Sequence, residues 1–295
     1  MSPFRPITFR ERRTGLASEV AVSASSATTW RLLPDDPLLA GHTFRSRPLV
    51  PLAYAFARAW EAAAAQHSGA FPPCWVARDF SAFRPLFVER AEHVSVSTIA
   101  RSDGVLVKLG LNDQLYYSGR FAPYFDASLP FSSEQEPREP ECLDTRAAAE
   151  IYSTFEARGL LYGTELRRLV TAREVQSSPS VVVAEVNAEE LPPSRTGAAI
   201  LVDSALQSLL AHELCGGLAA PSGVYLPVWI EECRISARNP RGRRVLVESV
   251  LRRTRPHTGI ALFDLEIRDE QETAWCRLKN VGLKLSPADV SPGQS

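Results

Sequence analysis

The sequence predicts an α+β protein of the double hotdog kind, two tandem antiparallel sheets each wrapped around a central apolar helix. Two helical stretches, Leu49–Gln66 and Leu201–Leu214, are unusually apolar and begin about 150 residues apart. Each is followed by about four short runs with the period of two expected of half-buried strands. A helix apolar on nearly all sides has to be surrounded, not laid on a surface. Periodicity alone also admits two unrelated α+β domains.

In order along the chain, Glu19–Leu32 reads as a strand pair, and the first apolar helix follows with only Arg58 and Glu61 charged inside it. Strand-like runs come next at Asp79–Phe87, His93–Ala100, Val105–Leu111 and Gln114–Ala122; in the second of these Val94 and Val96 alternate with Ser95 and Ser97. Ser132–Pro140, SSEQEPREP, is polar, acidic and Pro-containing, so it reads as a linker. Beyond it a short helix is expected at Ala147–Arg158 and a strand at Ser180–Val186. The second apolar helix then leads into strands at Tyr225–Ala237, Arg244–Arg253, Gly259–Arg268 and Thr273–Leu285. Phe263, Leu265 and Ile267 are expected to face inward. The expected domains are residues 1–131 and 146–288, joined by a linker at 132–145 and followed by a tail at 289–295.

Length and composition fit this organisation and exclude several alternatives. A chain of 295 residues suggests about two folded units, and 45% hydrophobic with 23% charged residues argues against disorder. A net charge of −1 provides no general basic field for nucleic acid. No apolar run is long enough to span a membrane, and none follows the arginines of Met1–Arg13 as a secretory signal requires. The five cysteines (Cys74, Cys142, Cys215, Cys233, Cys276) are odd in number, widely spaced and without a CxxC, so neither a metal site nor a disulfide framework is expected. Free thiols in a cytoplasmic protein are the plain reading.

The chain lacks GxGxxG after a strand, GxxxxGK[ST], HExxH and GxSxG, which leaves nucleotide, zinc-protease and serine-hydrolase chemistry without anchors. The informative residues are polar ones in apolar surroundings. Asp203 interrupts Ile200-Leu-Val-Asp-Ser-Ala-Leu-Gln207, and Gln207 lies one helical turn further on, within reach of its carboxyl group. Burial disfavours the charged carboxylate, so Asp203 reads as a proton donor at neutral pH; an N-cap at the helix start is the alternative. His42, just before the first apolar helix, reads as a general base, with an exposed loop histidine as the alternative. His67, His93, His212 and His257 have no comparable setting. In a tandem hotdog one half would contribute a base and the other an acid across an apolar tunnel, the pair that β-elimination of water requires.

These residues fall into a recognisable order. His42, Ser46 and Pro51 have the spacing of the HxxxGxxxxP signature of polyketide synthase dehydratase domains, and Asp203 to Gln207 that of their DxxxQ/H signature. Gly159-Leu-Leu-Tyr162-Gly163-Thr-Glu-Leu-Arg167 is similar to the family's GxxYGxxFR stretch, and Leu226-Pro227 to its LPxx stretch. The resemblance covers roughly residues 15–287. It implies a hydro-lyase of polyketide biosynthesis that converts a 3-hydroxyacyl thioester, carried on the phosphopantetheine arm of an acyl carrier protein, into the 2,3-enoyl thioester. His42 would be the base and Asp203 the acid. Gln207 would orient Asp203, Tyr162 would assist at the hydroxyl, and Gly163, Ser46 and Pro51 would help to position substrate. Backbone N–H groups at the first helix's start would polarise the thioester oxygen. No metal and no organic cofactor is implied. The expected partners are the carrier protein and other synthase components, and the expected assemblies include a homodimer.

The chain departs from the family pattern at Ser46 in place of glycine, at Leu52 after Pro51, at Thr164 after Tyr-Gly and at Ala198-Ala199 before the Asp motif. These changes bear on tunnel shape and leave the acid and base in place. They keep open a same-fold double-bond isomerase or an oxa-Michael cyclase forming a pyran or furan ring, and a non-catalytic acyl-binding module is a further alternative. Arg238, Arg241, Arg243 and Arg244 flank an expected hairpin turn at Asn239–Gly242 and offer a positive patch on which an acidic carrier protein could dock.

Overall fold

The structure is a computed structural model that describes residues 25–69, 72–125, 142–175, 179–192, 195–214, 218 and 223–287. Most of the expected linker at 132–145, the tail at 289–295 and the N-terminal part of the expected strand pair lie outside these residues. The first half comprises β1 (Ser25–Leu32), α1 (Pro37–Ala40), β2 (His42–Phe44), β3 (Arg47–Pro48), α2 (Leu52–Ala65), β4 (Cys74–Ala82), β5 (Glu92–Arg101), β6 (Gly104–Leu111) and β7 (Gln114–Tyr124). The second comprises β8 (Cys142–Ala147), α3 (Ala148–Ala157), β9 (Leu160–Tyr162), β10 (Leu169–Val175), β11 (Val181–Asn187), α4 (Arg195–Leu214), β12 (Gly223–Ser236), β13 (Arg244–Arg255), β14 (Ile260–Asp269) and β15 (Ala274–Pro287).

Each half wraps an antiparallel sheet around one helix, the double hotdog arrangement. Alanine, the strongest helix former, fills more than half of α2, and the helix packs against β4, β5, β6 and β7. In α4 every residue from Gly197 to His212 is buried, so the helix has no solvent face; it lies against β10, β11, β13 and β14 and also against α2. The sheets join edge to edge through β4 and β12, giving one twelve-stranded sheet in the order β1-β5-β6-β7-β4-β12-β15-β14-β13-β11-β10-β8. Phe263, Leu265 and Ile267 face inward and are buried, as the alternation on β14 requires.

Three boundaries differ from expectation for identifiable reasons. The strand expected at Asp79–Phe87 is β4, displaced toward Cys74, because Cys74–Ala77 is buried on both faces and shows no alternation. A bulge with Asp79 at φ +55° interrupts its ladder with β7. Residues 142–145, assigned to the linker, begin β8, a short charged edge strand paired only with β10. Helix α4 begins at Arg195 instead of Leu201. Its Gly197 reads as a helix breaker in sequence, yet a Cβ there would come within 2.3 Å of the Pro192 carbonyl, so the chain passes too closely for a side chain.

The C-terminal turn of α4 is pinned to the sheet by His212. Its Nε2 lies 3.0 Å from Ser249 Oγ and its Nδ1 3.3 Å from Ser180 Oγ. The Ser249 hydroxyl donates to the Val182 carbonyl at 3.1 Å, so it accepts the proton on Nε2. Burial pushes the His212 imidazole down to about 4. The unfolded chain takes up this proton near 6.5 and the folded chain resists until about 4, so the contribution is whole above pH 6.5 and is lost as pH falls through that window. Denaturant unfolding between pH 7 and 4 should show roughly 3 kcal/mol of acid destabilisation, and a His212→Gln variant should show a flatter profile.

Candidate active site

The site begins where the two halves exchange a strand pair. Strand β2 of the first half pairs with β9 of the second, placing His42 opposite Tyr162 and Phe44 opposite Leu160. Directly opposed residues point to the same face, and the His42 and Tyr162 rings meet edge to face at 5.2 Å. The pairing is extended by a hydrogen bond from the Gly163 N–H to the Gly41 carbonyl. A Cβ on Gly163 would come within 2.6 Å of the Gly41 Cα, so glycine is what lets the two backbones approach.

His42 is buried on β2, which excludes the exposed loop alternative. Its Nδ1 is 2.7 Å from the Leu49 carbonyl. A carbonyl only accepts, so Nδ1 carries the proton and Nε2 is the bare, basic nitrogen. The His42 carbonyl in turn accepts from Leu49 N at 2.9 Å, which fixes the residue from both its backbone and its ring.

Asp203 lies two turns inside α4, which excludes the N-cap alternative. Gln207, one turn on, donates from Nε2 to Asp203 Oδ2 at 2.8 Å and to the Leu166 carbonyl at 2.9 Å. Burial raises the Asp203 carboxyl above its ordinary value; the nearby His42 imidazole and the Gln207 amide pull it down, and burial dominates. Burial likewise holds the Tyr162 phenol well above its ordinary value, the Asp203 charge adding to the effect.

His42 and Asp203 line the same cavity, of about 390 Å³, from opposite halves. Its walls are mostly apolar: Phe44, Leu49, Val50, Pro51 and Leu52 from the first half, Leu206, Leu210, Leu226 and Val228 from the second, with Tyr117 and Tyr162 between them. Asp203, Leu206 and Leu210 follow the i, i+3, i+7 spacing of one helix face. The lining passes from buried residues at His42 and Asp203 to exposed ones at Arg84, Pro85 and Pro287, which marks the opening. At the start of α2, Leu52 N and Ala53 N take no acceptor among the described residues, because Pro51 caps the helix without a side-chain bond. A basic nitrogen, a carboxyl group inclined to keep its proton and free N–H donors thus surround one apolar channel, the equipment for moving protons beside a carbonyl group.

A family model described as the polyketide synthase dehydratase N-terminal domain matches residues 131–292. The chain belongs to the polyketide synthase dehydratase family. Solved structures agree in fold. The dehydratase domain of PpsC from Mycobacterium tuberculosis in complex with C12:1-CoA is similar at a TM-score of 0.72 and 18% identity, covering 92% of this chain and 98% of its own. The dehydratase domain from the CurF module of the curacin polyketide synthase matches at 0.74 and 16% identity, covering 92% and 96%. That of RzxB from Pseudomonas fluorescens matches at 0.67 and 20% identity, covering 88% and 94%. No curated protein sequence matches the chain. Among the described residues of this dehydratase-family chain, no helix is long and apolar enough to cross a membrane.

The other residues expected at the site are distributed unevenly. Tyr162 and Pro51 line the cavity, Gln207 stands behind Asp203, and Gly163 serves through its backbone. Ser46 is not part of the lining: it is exposed at the two-residue turn between β2 and β3, where Arg45 and Ser46 have φ +52° and +62°. Both positions take the left-handed conformation of a type I′ turn, which glycine adopts without strain. Arg238, Arg241, Arg243 and Arg244 also lie away from the cavity, around the turn between β12 and β13. There Arg243 pairs with Glu189 at 3.3 Å and Arg244 with Glu185, while Glu270 accepts from the backbone N–H groups of Arg243 and Arg244. Sequence reasoning missed Tyr117, Tyr152, Arg84 and Lys284; none interrupts an apolar pattern or stands in a motif, so no local signal marks them. Replacing Ser46 with glycine should raise unfolding stability by about 1 kcal/mol and leave turnover unchanged, as thermal melts and an activity assay would show.

Proposed function

We propose that the protein eliminates water from a 3-hydroxyacyl thioester carried by an acyl carrier protein, giving the 2,3-enoyl thioester. The observation that supports this reading above all others is that His42 and Asp203 face one apolar cavity from opposite halves. His42 Nε2 takes the proton beside the thioester carbonyl, and the electron pair of that C–H bond becomes the new double bond. The C–O bond breaks as Asp203 gives its proton to the departing hydroxyl, which leaves as water. Elimination leaves an imidazolium and a carboxylate; passing the proton from His42 back to Asp203 resets the site. In this reading the N–H of Leu52, which lines the cavity at the start of α2, receives the charge that builds on the thioester oxygen, and Tyr162 steadies the hydroxyl. Acid, base and backbone donors suffice for this chemistry, so the proposal includes no metal or organic cofactor.

Incubation with 3-hydroxyacyl thioesters followed by mass spectrometry tests the reaction. Loss of one water is expected, and His42→Phe and Asp203→Asn should each lower turnover at least a hundredfold. An unchanged mass with a moved double bond or a new ring would replace elimination by isomerisation or cyclisation. Turnover that survives both substitutions would remove the site assignment.

The carrier protein is proposed to approach at the opening, where Arg84 and Lys284 stand. The stretch of β12 from Val228 at the cavity to Ser236, about 25 Å of extended strand, separates the cavity from the basic turn. Arg84→Glu should therefore raise KM severalfold for carrier-bound substrate and leave a short free thioester unaffected. Charge reversal at Arg241, Arg243 and Arg244 should alter neither value; a raised KM for carrier-bound substrate in that variant would move docking to the turn.

A further inference from the structure

Behind Asp203 runs a hydrogen-bond chain that no motif of the sequence announces. Tyr152 of α3 is buried with its hydroxyl 2.8 Å from Gln207 Oε1. The N–H of Leu169 donates to the same hydroxyl oxygen at 3.0 Å. Because the backbone N–H occupies a lone pair of that oxygen, the phenol directs its own proton to Gln207 Oε1. At the other end of the amide, Nε2 donates to the Leu166 carbonyl and to Asp203 Oδ2. Every hydrogen-bonding position of the Gln207 amide that these contacts reach is thus assigned, and its orientation is set from two sides.

The consequence falls on Asp203. Oδ2 accepts from an N–H donor, a place that the carbonyl oxygen of a neutral carboxyl group fills better than its hydroxyl oxygen, so a proton on this group is favoured on Oδ1. That oxygen takes no hydrogen bond among the described residues, and Asp203 lines the cavity. We infer that Tyr152 is a positioning residue: through Gln207 it holds the proton of Asp203 on the oxygen that is free to meet substrate. This inference rests on the reading of Asp203 as the acid.

The surroundings keep Tyr152 suited to this role. Burial keeps its phenol above its ordinary value, so it remains a donor throughout the working range. Its ring stands edge-on to Phe155 at 5.9 Å and to Tyr162 at 6.0 Å, and the Arg167 guanidinium lies 5.3 Å from its ring centre. Arg167 also donates to the Tyr162 carbonyl at 2.7 Å, which ties the supporting tyrosine to the one that lines the cavity. Tyr152→Phe removes the hydroxyl and leaves these ring contacts in place.

With the hydroxyl gone, only the Nε2 contacts to Leu166 and Asp203 hold the amide; when it turns so that Oε1 faces Asp203, Oε1 accepts a hydrogen bond from the protonated carboxyl group and raises its proton affinity. With a short 3-hydroxyacyl thioester as probe, Tyr152→Phe should lower kcat about tenfold, the worth of one such hydrogen bond, with KM within twofold of the parent. The alkaline limb of the pH–kcat profile should move to higher pH. In a Gln207→Leu background the same substitution should have no further effect on kcat, since the amide through which it acts is absent. An unchanged kcat and pH profile in Tyr152→Phe, or a second tenfold loss in the Gln207→Leu background, would overturn the role of Tyr152. Full activity of Asp203→Asn in the same assay would instead overturn the reading of the acid on which it rests.

Discussion

The three-residue pairing of β2 with β9 is the constraint on which the site depends. It is the place where a strand of the first half is completed by a strand of the second. Without it, the strand that carries His42 would lose its direct tie to Tyr162 and the second half beside the site. The pairing is short, and its closeness comes from Gly41 and Gly163, whose backbones approach to a distance that a side chain on Gly163 would forbid. The imidazole itself is held by Leu49, and the approach of two glycines, one from each half, brings its strand against β9.

Electrostatics then divides the work. Two opposing influences act on Asp203: removal from water raises its proton affinity, while the imidazole across the cavity and the amide behind it lower it. Within apolar walls the cost of desolvating a carboxylate outweighs both lowering influences. The Asp203 carboxyl is thereby inclined to keep its proton. That inclination is maintained by the leucines and valines of the cavity as much as by the polar groups themselves.

Much of this was legible in the sequence because two features have no ordinary explanation there. Helices apolar on every side need a wrapping sheet, and a carboxyl group inside one of them needs a reason. Asp203 was readable for that cause; His42, a lone histidine before the first helix, gained its weight from the ordered motifs that join the two. Tyr152 was not readable, since a tyrosine followed three residues later by a phenylalanine is what any half-buried helix shows. Ser46 was assigned to substrate because its family position is glycine, whereas the structure gives that position a positive φ and a place in solvent. The arginines near residue 240 were conspicuous by number, but strand β12 carries them away from the cavity, and their acidic partners come from strands and turns distant in sequence. β8 escaped notice because a short edge strand with charged residues has the composition of a loop.

The unbroken sheet has a consequence for traffic. Because β4 and β12 are joined by a backbone ladder, the two halves cannot swing apart like the jaws of a clamp without tearing a row of amide hydrogen bonds. Access to the cavity therefore runs past Arg84, Pro85 and Pro287, where its lining becomes exposed.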